Sequence, residues 1–300
     1  MSSEVGIEGA LDSTAMRVVL ASMGAEEFGL LHRACAAAGH QPVAYAYSRS
    51  MRPRQPADAY AVSKLTGVIE ALPTDVDLLL PADQAGLADS LAGHRPDLLV
   101  LYGFNWILPR EVYQLPTFGT VNIHPSLLPR YRGPAPVHWA IRNGDPETGV
   151  TVHRVDDGVD TGPILAQRGG VPLGEDVHRE QVHARLAPAV ADALTTALAR
   201  IAAGEPGEPQ PAVTGPRAGF LEPEFSQVDW SHPARQIHNQ VRVFRYIGSD
   251  TAPMARVGDK WVRLVRTSLT PADGLRVECG DGPIWIVESA PAEPPATDPR

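Results

Sequence analysis

The sequence predicts an α/β protein with a doubly wound, mostly parallel, Rossmann-like sheet and a smaller C-terminal domain of α+β or β-barrel-like structure. Two observations lead to this fold class. Short apolar runs alternate with segments of helical periodicity up to about residue 203, as in parallel sheets covered by helices. Between residues 204 and 226 the composition shifts to Gly, Pro and Glu without periodicity, which predicts a linker before the second domain.

The first elements form a predicted β-α-β unit. Residues 16–21 are a short apolar run that predicts a buried strand, and residues 26–38 carry apolar residues at near-helical spacing. We expect this helix to end at Gly39, and residues 42–47 predict the second strand. Residues 48–56 contain several Arg and Pro residues and predict a loop.

The same alternation continues through the rest of the first domain. Ligands of such sheets bind beyond the carboxyl ends of the strands. Asn122 and His124 fall at the end of a strand predicted near residues 119–123, so we expect the chemistry there. The other predicted elements are helices within 57–72, 82–92, 134–142 and 177–203 and strands at 77–80, 97–102 and 150–155.

The second domain is expected to begin with a helix from Asp229 to about Tyr246, with Ile237, Val241 and Phe244 in its buried stripe. Four short strands of a small barrel or sheet are predicted to follow. They lie at 255–257, 261–265, 275–278 and 284–287. The predicted domain boundaries are a flexible leader at 1–15, a catalytic domain at 16–203, a linker at 204–226, an accessory domain at 227–289 and a disordered tail at 290–300.

Composition and charge narrow the class of protein. The net charge of −9 argues against broad, nonspecific binding of nucleic acid. Cys35 and Cys279 alone provide neither a disulfide framework nor a Cys-rich metal site. The first fifteen residues lack the apolar core of a signal peptide, and no run of about 18 apolar residues occurs. We therefore expect a cytoplasmic protein without a membrane partner, and its oligomeric state is not indicated by the sequence.

The strand that ends at His124 has two different faces. A strand's period of two places Asn122 and His124 on one face and the aliphatic Val121 and Ile123 on the other. Transfer of an acyl group to an amine requires a base, a donor to the oxyanion, and a group that sets the tautomer and pKa of the base. His124, Asn122 and Asp160 can fill these roles in that order, without a covalent intermediate.

Other interpretations of these residue types are open. A histidine after a strand is often a hydrogen-bonded structural residue, and Asn before a Pro-rich turn often serves the turn alone. His124, His138 and His153 are spaced too widely for a local metal motif, so no metal site is predicted and the last two are interpreted as structural or solvated. Residues 160–162 match the aspartic protease tripeptide, but a second copy for the paired carboxylate is missing.

The most specific motifs are NIHPSLLPRYRGPAP at 122–136, GDPETGVTVHRVDDGVDTGPILAQ at 144–167 and the looser LYGFNWILP at 101–109. This ordered pattern resembles the family of formyltransferases that use 10-formyltetrahydrofolate, which includes methionyl-tRNA, glycinamide ribonucleotide and amino-sugar formyltransferases. The resemblance covers most of residues 16–203. It implies 10-formyltetrahydrofolate as co-substrate and an Asn-His-Asp catalytic trio, here Asn122, His124 and Asp160.

The resemblance also implies where the two substrates bind. The pterin is expected between the segment 101–108 and the loop 155–160, held largely by backbone groups. We expect the acceptor to contact the turn that follows His124. The predicted folate-binding residues are Leu101, Tyr102, Gly103, Ile107, Leu108, Val155, Asp156, Asp157 and Gly158, and the predicted acceptor-binding residues are Ser126, Arg130, Arg132 and Gly133.

The predicted acceptor is a small-molecule amine, such as a nucleotide-linked amino sugar or an amine of specialised metabolism. Residues 225–251 resemble the start of the accessory domain of methionyl-tRNA and amino-arabinose formyltransferases. However, residues 207–300 hold ten Arg and Lys against twelve Asp and Glu, a net charge of −2, where a tRNA-binding domain should be basic. The loop at 48–56 is also shorter than the basic loop of the tRNA enzymes. Methionyl-tRNA is therefore the alternative acceptor.

Three further questions are open at this point. Arg49, Arg52 and Arg54 could meet phosphates of a substrate or lie in a solvated loop. A hydrolase that releases formate from the folate would use the same trio, with water as nucleophile, and would turn over without an amine. A folate-binding protein without catalysis is the last alternative, and the intact trio argues against it.

Overall fold

In the computed structural model, the structure describes residues 15–175, 177–211, 217–248 and 252–294. The chain divides into two compact units. The first comprises residues 1–122 and 194–207, and the second comprises residues 123–193 and 208–300. This division differs from the predicted boundary at the linker, because C-terminal elements contact residues of the 123–193 segment.

The main sheet contains parallel and antiparallel strands, as expected for the predicted fold class. Its strands are β1 (Arg17–Ser22), β2 (Gln41–Tyr47), β3 (Asp77–Leu79), β4 (Leu98–Tyr102), β5 (Thr120–His124), β6 (Glu147–Arg154) and β7 (Ile164–Pro172). Their order is β3-β2-β1-β4-β5-β6-β7. Strand β1 pairs in parallel with β2 and β4, β2 pairs in parallel with β3, and β6 and β7 are antiparallel. The Rossmann-like α/β fold is confirmed.

Helices connect or follow these strands. In the described part of the chain they are α1 (Ala25–Ala37), α2 (Ala59–Glu70), α3 (Gln84–His94), α4 (Arg110–Tyr113), α5 (Pro136–Arg142) and α6 (Arg179–Ala202). Two of them begin at a capping aspartate: Asp58 accepts a hydrogen bond from Ala61 N at 2.7 Å, and Asp83 accepts one from Gly86 N at 2.9 Å. Such caps satisfy backbone donors that the first helical turn leaves unpaired.

The core of the first unit follows from the apolar runs of its strands. Val18 to Ala21 of β1 are fully buried, as expected for a parallel strand covered on both faces. Phe28 of α1 stacks on Tyr45 of β2, with ring centroids 4.3 Å apart. The predicted β-α-β opening is therefore present.

Strand β7 is missing from the elements predicted from the sequence. It pairs antiparallel with β6, and Thr151 lies opposite Gln167. Gly169 and Gly170 interrupt its apolar pattern. Because glycine weakens the strand signal, periodicity alone does not identify this element.

The C-terminal part of the second unit is a helix packed on an antiparallel sheet. The helix is α7 (Ala234–Ile247), and the strands are β8 (Met254–Val257), β9 (Lys260–Ser268), β10 (Leu275–Cys279) and β11 (Gly282–Pro291), in the order β10-β11-β9-β8. Val241 of α7, Ala255, Leu264 and Ile286 form one buried cluster. The small second sheet predicted from the sequence is confirmed.

The predicted start of the C-terminal helix was wrong by several residues. The carboxylate of Asp229 accepts a hydrogen bond from Ser231 N at 2.9 Å, which forms a turn. Pro233 immediately precedes the first helical residue, Ala234. Proline fixes its own backbone angle and suits the start of a helix, so the helix begins there rather than at Asp229.

Residues predicted to lie in the linker and in the tail also have regular contacts. Glu208 pairs with Ile164 of β7 through two backbone hydrogen bonds of 2.8 Å. Ala290 and Pro291, predicted to begin a disordered tail, lie opposite Arg263 and Val262 at the end of β11. Residues 295–300 and most of the predicted leader, residues 1–14, lie outside the described residues.

Polar side chains of α7 attach it to the rest of the second unit. Arg242 is 5% exposed and donates hydrogen bonds to the carbonyl groups of Gly174 and Glu175. Asn239 donates to the carbonyl oxygen of Arg142 at 3.3 Å. These contacts explain why the C-terminal segment belongs to the same unit as residues 123–193.

Candidate active site

Strand β5 carries Asn122 and His124 on one face. The alternating residues Val121 and Ile123 are buried, which holds the strand in the core. His124 is 4% exposed, and Asn122 is half-buried. The polar pair predicted from the period of the strand therefore has a direction fixed by its apolar neighbours.

The carbonyl group of Tyr131 determines the tautomer of His124. His124 Nε2 lies 2.8 Å from this oxygen, which can only accept a hydrogen bond, so Nε2 carries the proton. In neutral His124 the lone pair is therefore on Nδ1. Asp160 was predicted to set the tautomer of His124, whereas in the structure this backbone carbonyl sets it. The residue types alone do not indicate that contact.

Asp160 lies beside the nitrogen of His124 that bears the lone pair. Its Oδ2 is 3.6 Å from His124 Nδ1, and the same oxygen accepts a hydrogen bond from Gly133 N at 2.8 Å. A carboxylate at this distance stabilises the imidazolium that forms when Nδ1 takes up a proton. Asp160 and His124 thus lie beside each other, and their catalytic roles stay a prediction.

Burial and charge move the two pKa values in the directions that base catalysis requires. Burial lowers the pKa of His124, against the opposing influence of the Asp160 charge and the Tyr131 carbonyl. Burial opposes ionisation of Asp160, but the hydrogen bond from His153 and the nearby histidine charges lower its pKa to about 2. Near neutral pH the site therefore holds a neutral imidazole beside a carboxylate.

His153 also contacts Asp160, although it was not among the predicted site residues. It is 2% exposed, and its Nε2 lies 3.5 Å from Asp160 Oδ1. Its Nδ1 lies 2.8 Å from the carbonyl oxygen of Arg154, and its ring is edge-on to that of His124 with centroids 6.4 Å apart. His153 was interpreted as structural or solvated, and its burial agrees with the first of these and not with the second. His153 lies on β6, the strand next to β5, and faces the Asp160 carboxylate. The sequence spacing that is typical of metal ligands cannot reveal such a contact.

The four residues predicted to bind the acceptor all have partners within the second unit. Ser126 Oγ donates to the carbonyl oxygen of Arg130 at 2.7 Å, and Arg130 forms an ion pair with Asp145 at 2.9 Å. Arg132 donates to Gln210, and Gly133 N donates to Asp160. These contacts order the turn after His124, and acceptor binding by its residues stays a prediction.

The predicted folate segment in the first unit combines buried anchors with an exposed apolar residue. Leu101 and Tyr102 are buried at the end of β4, and Gly103 follows with a positive φ of 68°. Leu108 is 6% exposed, whereas Ile107 is 76% exposed. An exposed aliphatic side chain on a well-anchored backbone suits contact with a flat, largely apolar pterin face.

The predicted folate loop in the second unit is held by its own acidic residue. Asp156 Oδ1 accepts hydrogen bonds from Gly158 N at 3.1 Å and from Thr161 Oγ1 at 2.6 Å. Val155 is half-buried, while Asp157 and Gly158 are exposed. An ordered loop with exposed backbone fits the predicted recognition of the pterin by backbone groups.

The arginine-containing loop at 48–56 is ordered by contacts of its own. Arg54 forms an ion pair with Asp83 at 2.6 Å, and its N–H donates to the carbonyl oxygen of Ala82. Trp106 Nε1 donates to the carbonyl oxygen of Ser50 at 3.1 Å. Among the described residues, no group of three or more His, Cys, Asp and Glu is arranged to hold a metal ion. Nor does the described part of the chain contain a helix long and apolar enough to cross a membrane.

Comparison with known proteins identifies the family. The sequence profile described as formyl transferase matches residues 16–198. The chain belongs to the formyl transferase family. This formyltransferase is 35% identical to methionyl-tRNA formyltransferase of Roseobacter denitrificans over 285 residues, which is 91% of this chain and 90% of the relative. It is 37% identical to the Pelobacter propionicus enzyme of the same name over 235 residues, 73% of this chain and 72% of that one.

Solved structures with the same fold include formyltransferases of other kinds. A sugar N-formyltransferase from a Shewanella species matches this formyltransferase with a TM-score of 0.61 and 20% identity, covering 86% of this chain and 99% of that one. HypX from Aquifex aeolicus, in complex with tetrahydrofolic acid, matches with a TM-score of 0.61 and 19% identity. This match covers 93% of this chain and 44% of the HypX chain. At sequence identities this low, the similarity to these two structures shows the fold alone. Family membership confirms the predicted enzyme class, a folate-dependent formyltransferase with 10-formyltetrahydrofolate as co-substrate.

Proposed function

We propose that this formyltransferase transfers the formyl group to a primary amine, with His124 as general base, Asp160 as the carboxylate that stabilises protonated His124, and Asn122 as donor to the oxyanion. The observation that carries the proposal is the 3.6 Å separation between His124 Nδ1 and Asp160 Oδ2, combined with the Tyr131 carbonyl on Nε2. This arrangement supports a neutral base that becomes charged during the reaction.

Each proposed step is a proton transfer or a hydrogen bond made by one of these side chains. 10-Formyltetrahydrofolate supplies the formyl group. His124 Nδ1 accepts the proton that the attacking amine loses as the new C–N bond forms. The Asn122 amide donates to the formyl oxygen as negative charge develops there. His124 Nδ1–H then donates its proton to the departing nitrogen as the bond from that nitrogen to the formyl carbon breaks.

Methionyl-tRNA is the acceptor that we propose to test first. The supporting observation is that relatives named methionyl-tRNA formyltransferase align with this chain over most of both lengths, 91% and 90% for the Roseobacter denitrificans protein. An alignment of this extent includes the catalytic residues and reaches into the C-terminal sheet. The aminoacyl group of methionyl-tRNA offers the primary amine that the proposed chemistry requires.

A small primary amine is the second candidate, and the charge of the C-terminal segment supports it. Residues 207–300 carry a net charge of −2 from ten basic and twelve acidic residues. In the C-terminal sheet, Arg266 lies 3.7 Å from Glu288, and Arg276 lies 2.5 Å from Glu278. Arginines paired with carboxylates attract phosphates less than unpaired ones, which disfavours a large polyanionic acceptor.

The acceptor can be identified by following release of tetrahydrofolate from 10-formyltetrahydrofolate. The purified protein would be incubated in turn with methionyl-tRNA, with deacylated tRNA, and with a panel of nucleotide-linked amino sugars and small amines. Turnover with methionyl-tRNA alone supports the first candidate, and turnover with a small amine alone supports the second. Equal release in the absence of any amine would contradict formyl transfer and indicate a hydrolase.

A further inference from the structure

We propose that Gln210, within the predicted linker, is a positioning residue that holds the Asp160 loop in its catalytic geometry. The inference rests on the role proposed above for Asp160. Gln210 lies 50 residues further along the chain, in a segment whose composition indicated only a flexible connection. It would act through Asp160 and without contact with either substrate.

The side-chain amide of Gln210 has partners for all of its hydrogen-bonding groups. Its Nε2 donates to the carbonyl oxygens of Asp160 at 2.9 Å and Gly162 at 2.8 Å. Its Oε1 accepts from Arg132 Nε at 3.1 Å and Nη2 at 2.6 Å. Two carbonyl groups can only accept and a guanidinium can only donate, so the orientation of the amide is fixed. Neither Glu nor an apolar residue can satisfy both sets of partners.

The backbone of Asp160 needs such support. Its φ is 54°, in the left-handed region that residues other than glycine seldom occupy. A conformation of this kind is strained and persists when surrounding contacts enforce it. The Gln210 hydrogen bonds to Asp160 and Gly162 hold the carbonyl groups on either side of Thr161. They therefore oppose relaxation of the loop that aims the Asp160 carboxylate at His124.

The same linker also holds the opposite side of the carboxylate. Ala218 N donates to the carbonyl oxygen of Arg132 at 2.8 Å, and Ala135 N donates to the carbonyl oxygen of Ala218 at 3.0 Å. These two bonds flank Gly133, whose N–H donates to Asp160 Oδ2 at 2.8 Å. Residues of the linker thus contact both the backbone of Asp160 and the backbone that binds its side chain.

Two variants of Gln210 distinguish the hydrogen bonds made by its Nε2 from those accepted by its Oε1. Gln210→Leu removes all four hydrogen bonds, whereas Gln210→Glu keeps acceptors for Arg132 but presents oxygen to the carbonyl groups of Asp160 and Gly162. Gln240→Leu is the matched control, because Gln240 Nε2 likewise donates to two carbonyl oxygens, those of Phe225 and Gln227. All three would be compared by kcat and Km for tetrahydrofolate release and by thermal midpoint, with the acceptor that supports turnover in the assay above.

We expect both Gln210 variants to lower kcat by between about 10- and 100-fold, the effect of a misplacement of roughly 1 Å in an active site. The Km for 10-formyltetrahydrofolate should stay near the wild-type value. Gln240→Leu should lower the thermal midpoint while keeping the wild-type kcat. In an Asp160→Asn background, Gln210→Leu should cause no further loss of kcat, because residues that act as one unit are not additive.

Three outcomes would overturn the inference. Wild-type kcat in Gln210→Glu would show that the Asp160 and Gly162 contacts are not needed. A further loss of kcat in the Asp160→Asn background would show that Gln210 acts elsewhere. Wild-type kcat in Asp160→Asn itself would remove the proposed role of Asp160, and with it this inference. If Asp160→Asn loses activity while the Gln210 variants keep the wild-type kcat, the first of these outcomes applies: the inference is overturned and the proposed function is left intact.

Discussion

At the scale of single residues, the position of one proton distinguishes His124 from an ordinary buried histidine. The Tyr131 carbonyl holds that proton on Nε2, and the nitrogen left free to act as a base is the one beside Asp160. Burial keeps the imidazole neutral, and the Asp160 carboxylate stabilises it once it has taken up a proton. Burial and the Asp160 carboxylate therefore have opposite effects on the pKa of His124, as general base catalysis near neutral pH requires.

The pH dependence of kcat/Km should reflect this balance. Since a base must be unprotonated, activity falls as pH decreases through the pKa of His124, and burial places that pKa below its ordinary value of 6.5. Asp160, with a pKa of about 2, stays ionised throughout this range. We expect the acidic limb below pH 6.5. In Asp160→Asn it should move lower still, because the Asp160 charge raises the pKa of His124 in the wild-type protein and is absent from the variant. His153 also faces His124 and lowers its pKa. An acidic limb above pH 6.5 would contradict this assignment of the base.

Gly133 is expected to tolerate no side chain. Its φ is 124°, and a Cβ atom would lie 2.6 Å from the carbonyl oxygen of Ala218. Gly133→Ala should therefore lower the free energy of unfolding by roughly 2 kcal/mol or more and reduce kcat, since the N–H on Asp160 must shift. Gly170→Ala is the control, because Gly170 also has a positive φ but open space around it. Equal stability losses in urea unfolding would show that the contact with Ala218 is unimportant.

At the scale of elements, the catalytic strand and the helix α7 illustrate what the sequence can and cannot predict. Strand β5 was predictable because Val121 and Ile123 alternate with polar residues, so that one local pattern defines both structure and orientation. The family motifs added Asp160. His153, the Tyr131 carbonyl and Gln210 were not predictable, because their roles depend on contacts across 7 to 50 residues of chain. The polar residues of α7 likewise bind backbone groups that no local pattern reveals.

The anchoring of α7 should depend on Arg242. This buried side chain donates to the carbonyl groups of Gly174 and Glu175 and to Asn239 Oδ1. Arg242→Met leaves those acceptors without a donor, and we expect a loss of about 2–4 kcal/mol in the free energy of unfolding, measured by urea denaturation. The exposed Arg263 of β9 is the control, and Arg263→Met should change stability by no more than about 0.5 kcal/mol. Similar values for both variants would contradict the anchoring role.

At the scale of the whole molecule, the net charge favours a small amine as acceptor, whereas the similarity to named relatives favours methionyl-tRNA. The net charge of −9, with −2 in residues 207–300, disfavours a large polyanionic acceptor. Relatives that align over most of the chain are named methionyl-tRNA formyltransferase. Both observations can hold if the enzyme binds the aminoacyl end of an acceptor and makes few contacts with its phosphates.

Salt dependence measures the number of such contacts. With methionyl-tRNA as acceptor, we expect log(kcat/Km) to fall only shallowly with log salt concentration, with a slope weaker than about −3, because each phosphate contact contributes roughly −0.7 to −0.9. The measurement is tetrahydrofolate release between about 50 and 200 mM salt. With a small amine as acceptor the slope should be weaker still. A slope as steep as about −6 would contradict the small number of phosphate contacts expected from the acidic net charge.

The kcat of His124→Ala, measured by tetrahydrofolate release with the identified acceptor, tests the proposed base most directly. Loss of a general base should lower kcat by about 10²- to 10⁴-fold, with correct folding verified by circular dichroism. His138→Ala serves as the control, because His138 is half-buried and packs edge-on against Tyr246, with ring centroids 5.1 Å apart. We predict that His138→Ala retains the wild-type kcat. A folded His124→Ala protein with the wild-type kcat would contradict the assignment of His124 as the base of formyl transfer.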